Sequence, residues 1–296
     1  MVKIKIDIEK IKQIKGFKDY LVCGVIFKMK NSYRDMSEYF EGILKTLKYL
    51  DNFNFNFNIT YRLYFDESIE KEDQWKNLYD EMLRRDYTEL YKYNCKAAKD
   101  GDYHSGIFGM FMRILPLFNS KKERDWGMFS SMDIDLDENV NMENLTNGIK
   151  EFSKRKQGFF IKIPKCYYYF PWYSEDLEIV KKYKLALLGG SFSSKITFKK
   201  SILTNFLEDI LNKGPKYQFF LDNVGVKLKG SKEENKKNDL FIYGVDEYFL
   251  TESILKDLET RKISILIYHW WVIYYSLMKV IKANNNSFQE LSKEQE

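Results

Sequence analysis

The run Trp126-Gly-Met-Phe-Ser-Ser-Met132 is short and apolar, and it leads into Asp133-Ile134-Asp135, two carboxylates one residue apart. In a strand, residues i and i+2 point to the same side, so both carboxylates aim at one point beyond the strand end. Such a pair repels itself unless a cation lies between. Mg²⁺ and Mn²⁺ are hard ions that take one or two carboxylates together with the oxygens of a phosphorylated substrate, so a nucleotide or nucleotide-sugar would complete the shell. The competing reading is a solvated acidic turn, because Asp137 and Glu138 follow at once and aspartate favours turns.

Other elements must position this pair. Upstream, Ile107, Phe111, Ile114, Leu115 and Phe118 share one helical face, while Gly106, Gly109 and Arg113 follow a different stripe. Glycine inside a helix costs about 1 kcal/mol relative to alanine. Two on one stripe therefore predict close approach of a backbone or a ligand, with Arg113 projecting beside it. The alternative is tight helix–sheet packing with an incidental surface arginine.

The order of these pieces, Met112-Arg113-Ile-Leu-Pro-Leu, a polar linker, an apolar strand and then D-x-D, resembles the metal- and nucleotide-binding region of GT-A glycosyltransferases, especially the glycogenin-like and initiating-mannosyltransferase-like types. The resemblance implies an α/β fold, GT-A-like and Rossmann-related, with a mostly parallel mixed sheet flanked by helices. It implies a Mn²⁺ or Mg²⁺ cofactor and a UDP- or GDP-sugar donor. Arg113 would contact the donor, and Asp133 and Asp135 would bind the metal and the ribose. Gly189 and Gly190, in Gly189-Gly-Ser-Phe-Ser-Ser194, would line the donor site. In Tyr243-Gly-Val-Asp-Glu-Tyr-Phe-Leu250, Asp246 and Glu247 match the acceptor-side acidic motif, where a carboxylate faces the hydroxyl of a glycan or protein acceptor. His269 would supply the third metal ligand. The chain departs from the glycogenin-like pattern in lacking its C-terminal His-x-x-x-x-x-Lys-Pro-Trp segment. Helix-dipole complementation by Asp246 and Glu247, and a buried core role for His269, are the structural alternatives.

At 296 residues the chain can bury one large core or two joined halves, and no long flexible linker interrupts it. The net charge of +5 comes from mixed Lys and Glu with no basic arm, so nucleic-acid binding is not indicated. Cys23, Cys95 and Cys166 stand far apart, which suggests neither a disulfide framework nor a zinc site. The first residues alternate apolar and charged like an edge strand and contain no apolar signal core, so a cytoplasmic placement is expected.

Leu21–Phe27 reads as a buried parallel strand. Met36, Phe40, Ile43, Leu44 and Leu47 read as one helix face, and Phe57 to Phe65 as an alternating strand ending at Asp66. This β–α–β unit opens a doubly wound sheet whose ligands lie outside the carboxyl ends of the strands, where Asp66, Asp133 and the loop Lys28–Ser32 fall. Asp66 is expected either at the donor base or ribose, or as a helix N-cap. His104, in Asp100–Ser105, is expected to face ligand or to serve a capping or surface role. The aromatic cluster Tyr167–Tyr173 is expected to stack on an acceptor sugar or to form a packed wall. Residues 1–282 are expected to form a single domain, with about 1–140 binding the donor, 141–260 the acceptor, and 261–282 forming a C-terminal apolar helix. Residues 283–296 read as a polar tail. The run 263–281 carries too many polar and central aromatic residues for a spanning helix. It is expected in the core or against a membrane or subunit surface. The expected activity is metal-dependent sugar transfer from a nucleotide-sugar to a hydroxyl. The alternatives are another metal-dependent nucleotidyl or phosphotransfer enzyme, or an inactive nucleotide-sugar-binding protein.

Overall fold

The computed structural model describes residues 2–30, 32, 35–52, 57–132, 149–163, 187, 189–190, 192–214, 240–241, 244–271, 275–284 and 287–290. The β–α–β unit that opens the sheet is built as its hydrophobic pattern dictates. Strand β1 (Asp7–Lys12) precedes β2 (Lys18–Ile26), α1 (Met36–Asn52), β3 (Ile59–Asp66), α2 (Trp75–Arg84) and β4 (Thr88–Asn94). A two-stranded hairpin, β5 (Lys99–Asp100) with β6 (Tyr103–His104), leads to a 3-10 helix, Phe108–Phe118, and then to β7 (Trp126–Ser131). In the second half come β8 (Phe159–Ile163), β9 (Phe192–Ser194), α3 (Lys200–Lys213), α4 (Val245–Phe249), a π-helical turn (Leu250–Ile254), α5 (Leu255–Thr260), β10 (Ile265–Trp271), β11 (Tyr275–Asn284) and β12 (Ser287–Glu290).

The described strands, other than the β5–β6 hairpin, form one ten-stranded sheet in the order β1-β4-β3-β2-β7-β9-β8-β10-β11-β12. β2 pairs in parallel with β3 on one side and β7 on the other, β3 pairs in parallel with β4, and β10 with β8. β9 is antiparallel to both β7 and β8, so β8 and β10 run in the same direction as β7. The carboxyl ends of β2, β3, β4, β7, β8 and β10 therefore share one edge. The fold is α/β with a large mixed sheet.

Alternation along β2 shows how the two faces are covered. Leu21, Cys23 and Val25 join a core with the 3-10 helix, α3, α4 and α5. Tyr20, Val22 and Ile26 join a second core with α1, α2, Ile149 and Phe152. A strand apolar on both faces needs a layer on each, which gives the continuous apolar run its physical reason.

Two expectations are corrected. Residues 263–281 do not form a helix: β10 and β11 pair antiparallel from Ile265↔Ile281 to Trp271↔Tyr275. The run is rich in β-branched and aromatic residues, which suit a pleated surface, and an apolar run alone cannot separate strand from helix. The polar tail is in part a strand, because β11 continues through Asn284 and β12 pairs with it. The segment that begins at Gly189-Gly190 ends in β9, a central strand. Among the described residues no helix is long and apolar enough to cross a membrane.

Candidate functional site

Strand order reverses between β2, from which β3 and β4 step outward to one side, and β7, laid on its other side, and crevices at such reversals are where open α/β sheets hold ligands. At that point the amide of Met132 donates to Cys23 O at 2.8 Å, carrying β7 one residue past its last pair. Asp133 follows directly. Both Asp133 and Asp135 lie outside the described residues.

Across this edge runs the 3-10 helix. Its period of three places Phe108, Phe111, Ile114 and Leu117 on one buried stripe. The same period corrects the expected glycine–arginine stripe, since Arg113 shares its row with Met110 and Pro116. Gly106 stands before the helix at φ 66°, bridged to Phe241. Gly109 meets protein, because a Cβ there would overlap the Phe27 ring. The approach at Gly109 is that of a side chain, so this glycine serves helix–sheet packing and not contact with a backbone or a ligand.

Arg113 is buried, with 2% of its surface exposed, so the surface-residue alternative fails. Its Nη2 donates to Asp246 Oδ2 at 3.0 Å, and Nη1 lies 3.4 Å from Met132 O. Asp246 and Glu247 occupy the first turn of α4, where free N–H groups favour negative charge, behind Gly244 at φ 87°. Glu247 Oε1 accepts the Gly189 amide at 3.2 Å, and Ser131 Oγ donates to the Gly189 carbonyl. Four residues singled out in the sequence, Arg113, Gly189, Asp246 and Glu247, thus meet at the end of β7. Gly190 continues the turn after Gly189.

Asp66 ends β3 on the same edge and is enclosed by protein. Its Oδ1 accepts the Ser68 amide at 2.9 Å, capping the short 3-10 turn Glu67–Lys71. Lys99 Nζ reaches both carboxylate oxygens at 3.0 and 3.1 Å, and His104 Nε2 lies 3.2 Å from Oδ2. Burial raises its pKa, but the hydrogen bond and charge of His104, aided by Ser68, outweigh this and hold the carboxyl well below the usual range. Asp66 thus caps this short turn and not the helix that carries Trp75, whose N-cap is Gln74, and its oxygens are turned to Ser68, Lys99 and His104. His104 is itself buried, stacked on Phe108 at 5.6 Å and hydrogen-bonded to Tyr93 at 3.1 Å, so its surface role is excluded.

Comparison of the chain with protein-family models, with curated proteins and with solved structures finds no match.

Among the described residues no group of three His, Cys, Asp or Glu is placed to hold a metal. His269 sits on β10, paired with Leu277 and Ile163, and not on a helix. It lies three strand steps from β7, about 14 Å at the usual spacing. The cluster Tyr167–Tyr173 lies outside the described residues. Sequence reading missed Ser131 and Lys99. Ser131, a hydroxyl at the end of an apolar strand beside the aspartates, carried a signal, whereas Lys99 is one lysine among many.

Proposed function

We propose that this chain is a metal-dependent glycosyltransferase of GT-A-like architecture that moves a sugar from a UDP- or GDP-sugar to a hydroxyl acceptor. The observation that carries the reading is the meeting of Arg113, Asp246, Glu247 and Gly189 beside Met132 at the reversal point of the sheet. Cationic and anionic side chains from distant parts of the chain converge one residue before the D-x-D pair. The donor set of that pair, two hard oxygen ligands beyond a strand end, suits Mg²⁺ or Mn²⁺.

Under this reading Asp133 and Asp135 would hold the ion, whereas His269, the further ligand implied by the GT-A resemblance, lies three strand steps from β7 on β10 and is not assigned to the shell. When bound, the metal supplies positive charge against the diphosphate leaving group. Arg113 adds a fixed cation, and one held in a site shielded from water stabilises developing charge more strongly than one in bulk solvent. Asp246 keeps that cation oriented. Glu247, fastened to the Gly189 amide, places a second carboxylate at the same edge, and in an inverting reaction Asp246 or Glu247 takes the acceptor proton. In a retaining reaction no base on that side is required.

The test is a thermal-shift screen of UDP- and GDP-sugars with and without Mn²⁺, because a bound ligand stabilises by mass action. A Mn²⁺-dependent rise with a nucleotide-sugar supports the reading. A rise only with nucleoside triphosphates transfers the site to nucleotidyl or phosphoryl transfer. Binding of a nucleotide-sugar with no slow hydrolysis marks a non-catalytic binding protein.

A further inference from the structure

We propose that Gly189 and Asp246 are positioning residues for Arg113: the glycine leaves the room, and the aspartate provides the counter-charge, that hold the guanidinium plane at the carboxyl end of β7 for a diphosphate to meet. The diphosphate half of this inference rests on the glycosyltransferase reading. The positioning half rests on geometry alone.

Gly189 is not demanded by its backbone. The described glycines at positive φ are Gly16, Gly101, Gly106, Gly214 and Gly244, and Gly189 is not one of them, so an L side chain fits its local conformation. Space is what excludes one. A Cβ at position 189 would overlap the Arg113 guanidinium and stand 3.2 Å from Asp246 Oδ2.

The turn cannot back away from the arginine. Ser131 Oγ holds the Gly189 carbonyl from β7, and Glu247 Oε1 holds its amide from α4. Two residues earlier, Leu187 N donates to Thr251 Oγ1 at 2.9 Å, and Thr251 Oγ1 donates to Leu187 O at 3.3 Å. The wall formed by Gly189 is therefore tied to both the strand and the helix that carry the other contacts of Arg113. With Asp246 at 3.0 Å on one nitrogen and Met132 O near the other, a planar fork is oriented where a flexible ammonium would not be.

The test is a cycle in the full chain with Gly189→Ala made in the wild type and in Arg113→Met/Asp246→Asn, where the pair is removed together so that neither is left buried without the other. Should that double variant fail to fold, Arg113→Lys, which lacks the Nη atoms, serves as the second background. Melting temperature is read without ligand, and affinity for UDP and GDP is read with Mn²⁺ by calorimetry. Gly189→Ala should lower the wild-type melting temperature by roughly 2–8 °C and change the altered background by about 1 °C or less. Equal losses in both backgrounds, or none in the wild type, would overturn the positioning role. The diphosphate role requires that Gly189→Ala and Asp246→Asn each weaken nucleoside diphosphate binding about tenfold or more, with Asp246→Glu recovering part of the loss. Unchanged affinity in Gly189→Ala overturns that half. If the wild type binds neither UDP nor GDP, the glycosyltransferase reading and the diphosphate half fail together, while the melting cycle still decides the positioning.

Discussion

Arg113 keeps 2% of its surface exposed, and a cation taken that far from water persists because Asp246 stands 3.0 Å away. Arg113→Lys preserves the charge and loses the fork, so binding of a UDP- or GDP-sugar should weaken about tenfold while the fold is retained, as calorimetry and circular dichroism would show. Arg113→Ala leaves the Asp246 carboxylate without this partner and should cost about 3–5 kcal/mol in urea denaturation. Asp66 makes a prediction about pH. Its carboxyl titrates below the unfolded value of about 3.9, so its contribution is fully present above that pH and disappears as pH falls toward the folded pKa. Asp66→Asn should therefore lower stability at pH 7 and flatten the acid limb of the stability curve below about pH 4. An unchanged acid limb would contradict the part assigned to this carboxylate.

At the scale of elements, the 3-10 helix is the piece that brings Arg113 to the sheet edge. It is seated by Ile107 N on Phe241 O at 2.8 Å, by Phe198 N on Leu117 O at 2.7 Å, and by Gly109 against the Phe27 ring. A methyl group at position 109 has to push that ring out of the path of the chain leaving β2. Gly109→Ala should therefore destabilise by about 1–3 kcal/mol, the usual range for overpacking, and the loss should be smaller in Phe27→Leu. Melting curves of the two single variants and the double variant measure this. Equal losses with the Phe27 ring present and with it removed would mean that Gly109 is needed for its backbone, not for space.

The whole molecule separates its two sheet edges. At the amino ends of the strands, Glu89 takes Arg62 at 2.6 Å and Lys18 at 3.3 Å, and Asp125 takes Lys18 at 2.6 Å, joining β2, β3, β4 and the entry to β7. Glu89 has no exposed side-chain surface, so Glu89→Ala leaves the buried Arg62 and Lys18 with Asp125 as their one remaining carboxylate and should cost about 2–3 kcal/mol. The D-x-D pair, which follows β7 in sequence, is predicted to behave in reverse. Asp133→Ala and Asp135→Ala should leave the ligand-free melting temperature nearly unchanged while abolishing the Mn²⁺-dependent shift with a nucleotide-sugar. Loss of stability without ligand, and no change in the shift, would assign the pair to the fold.

Local pattern alone determined the β–α–β unit that opens the sheet. The apolar run of β2, the helical period of α1 and the alternation of β3 each specify an element and the faces it buries, because side-chain periodicity is a property of neighbouring residues. The glycine–arginine pattern singled out Arg113, and the GT-A resemblance pointed to Gly189, Asp246 and Glu247. Only the tertiary structure brought them together, since the 133 residues of separation between Arg113 and Asp246 are bridged by sheet order and by no local rule. Tertiary packing also decided what the pattern left open. A stripe drawn at 3.6 residues per turn became a 3-10 helix, and an apolar run near membrane length became two paired strands. Asp66 gained Lys99 and His104 as partners from another hairpin. In each case the deciding energy came from contacts distant in sequence, where burial must be matched by hydrogen bonds and opposite charge that no local window contains.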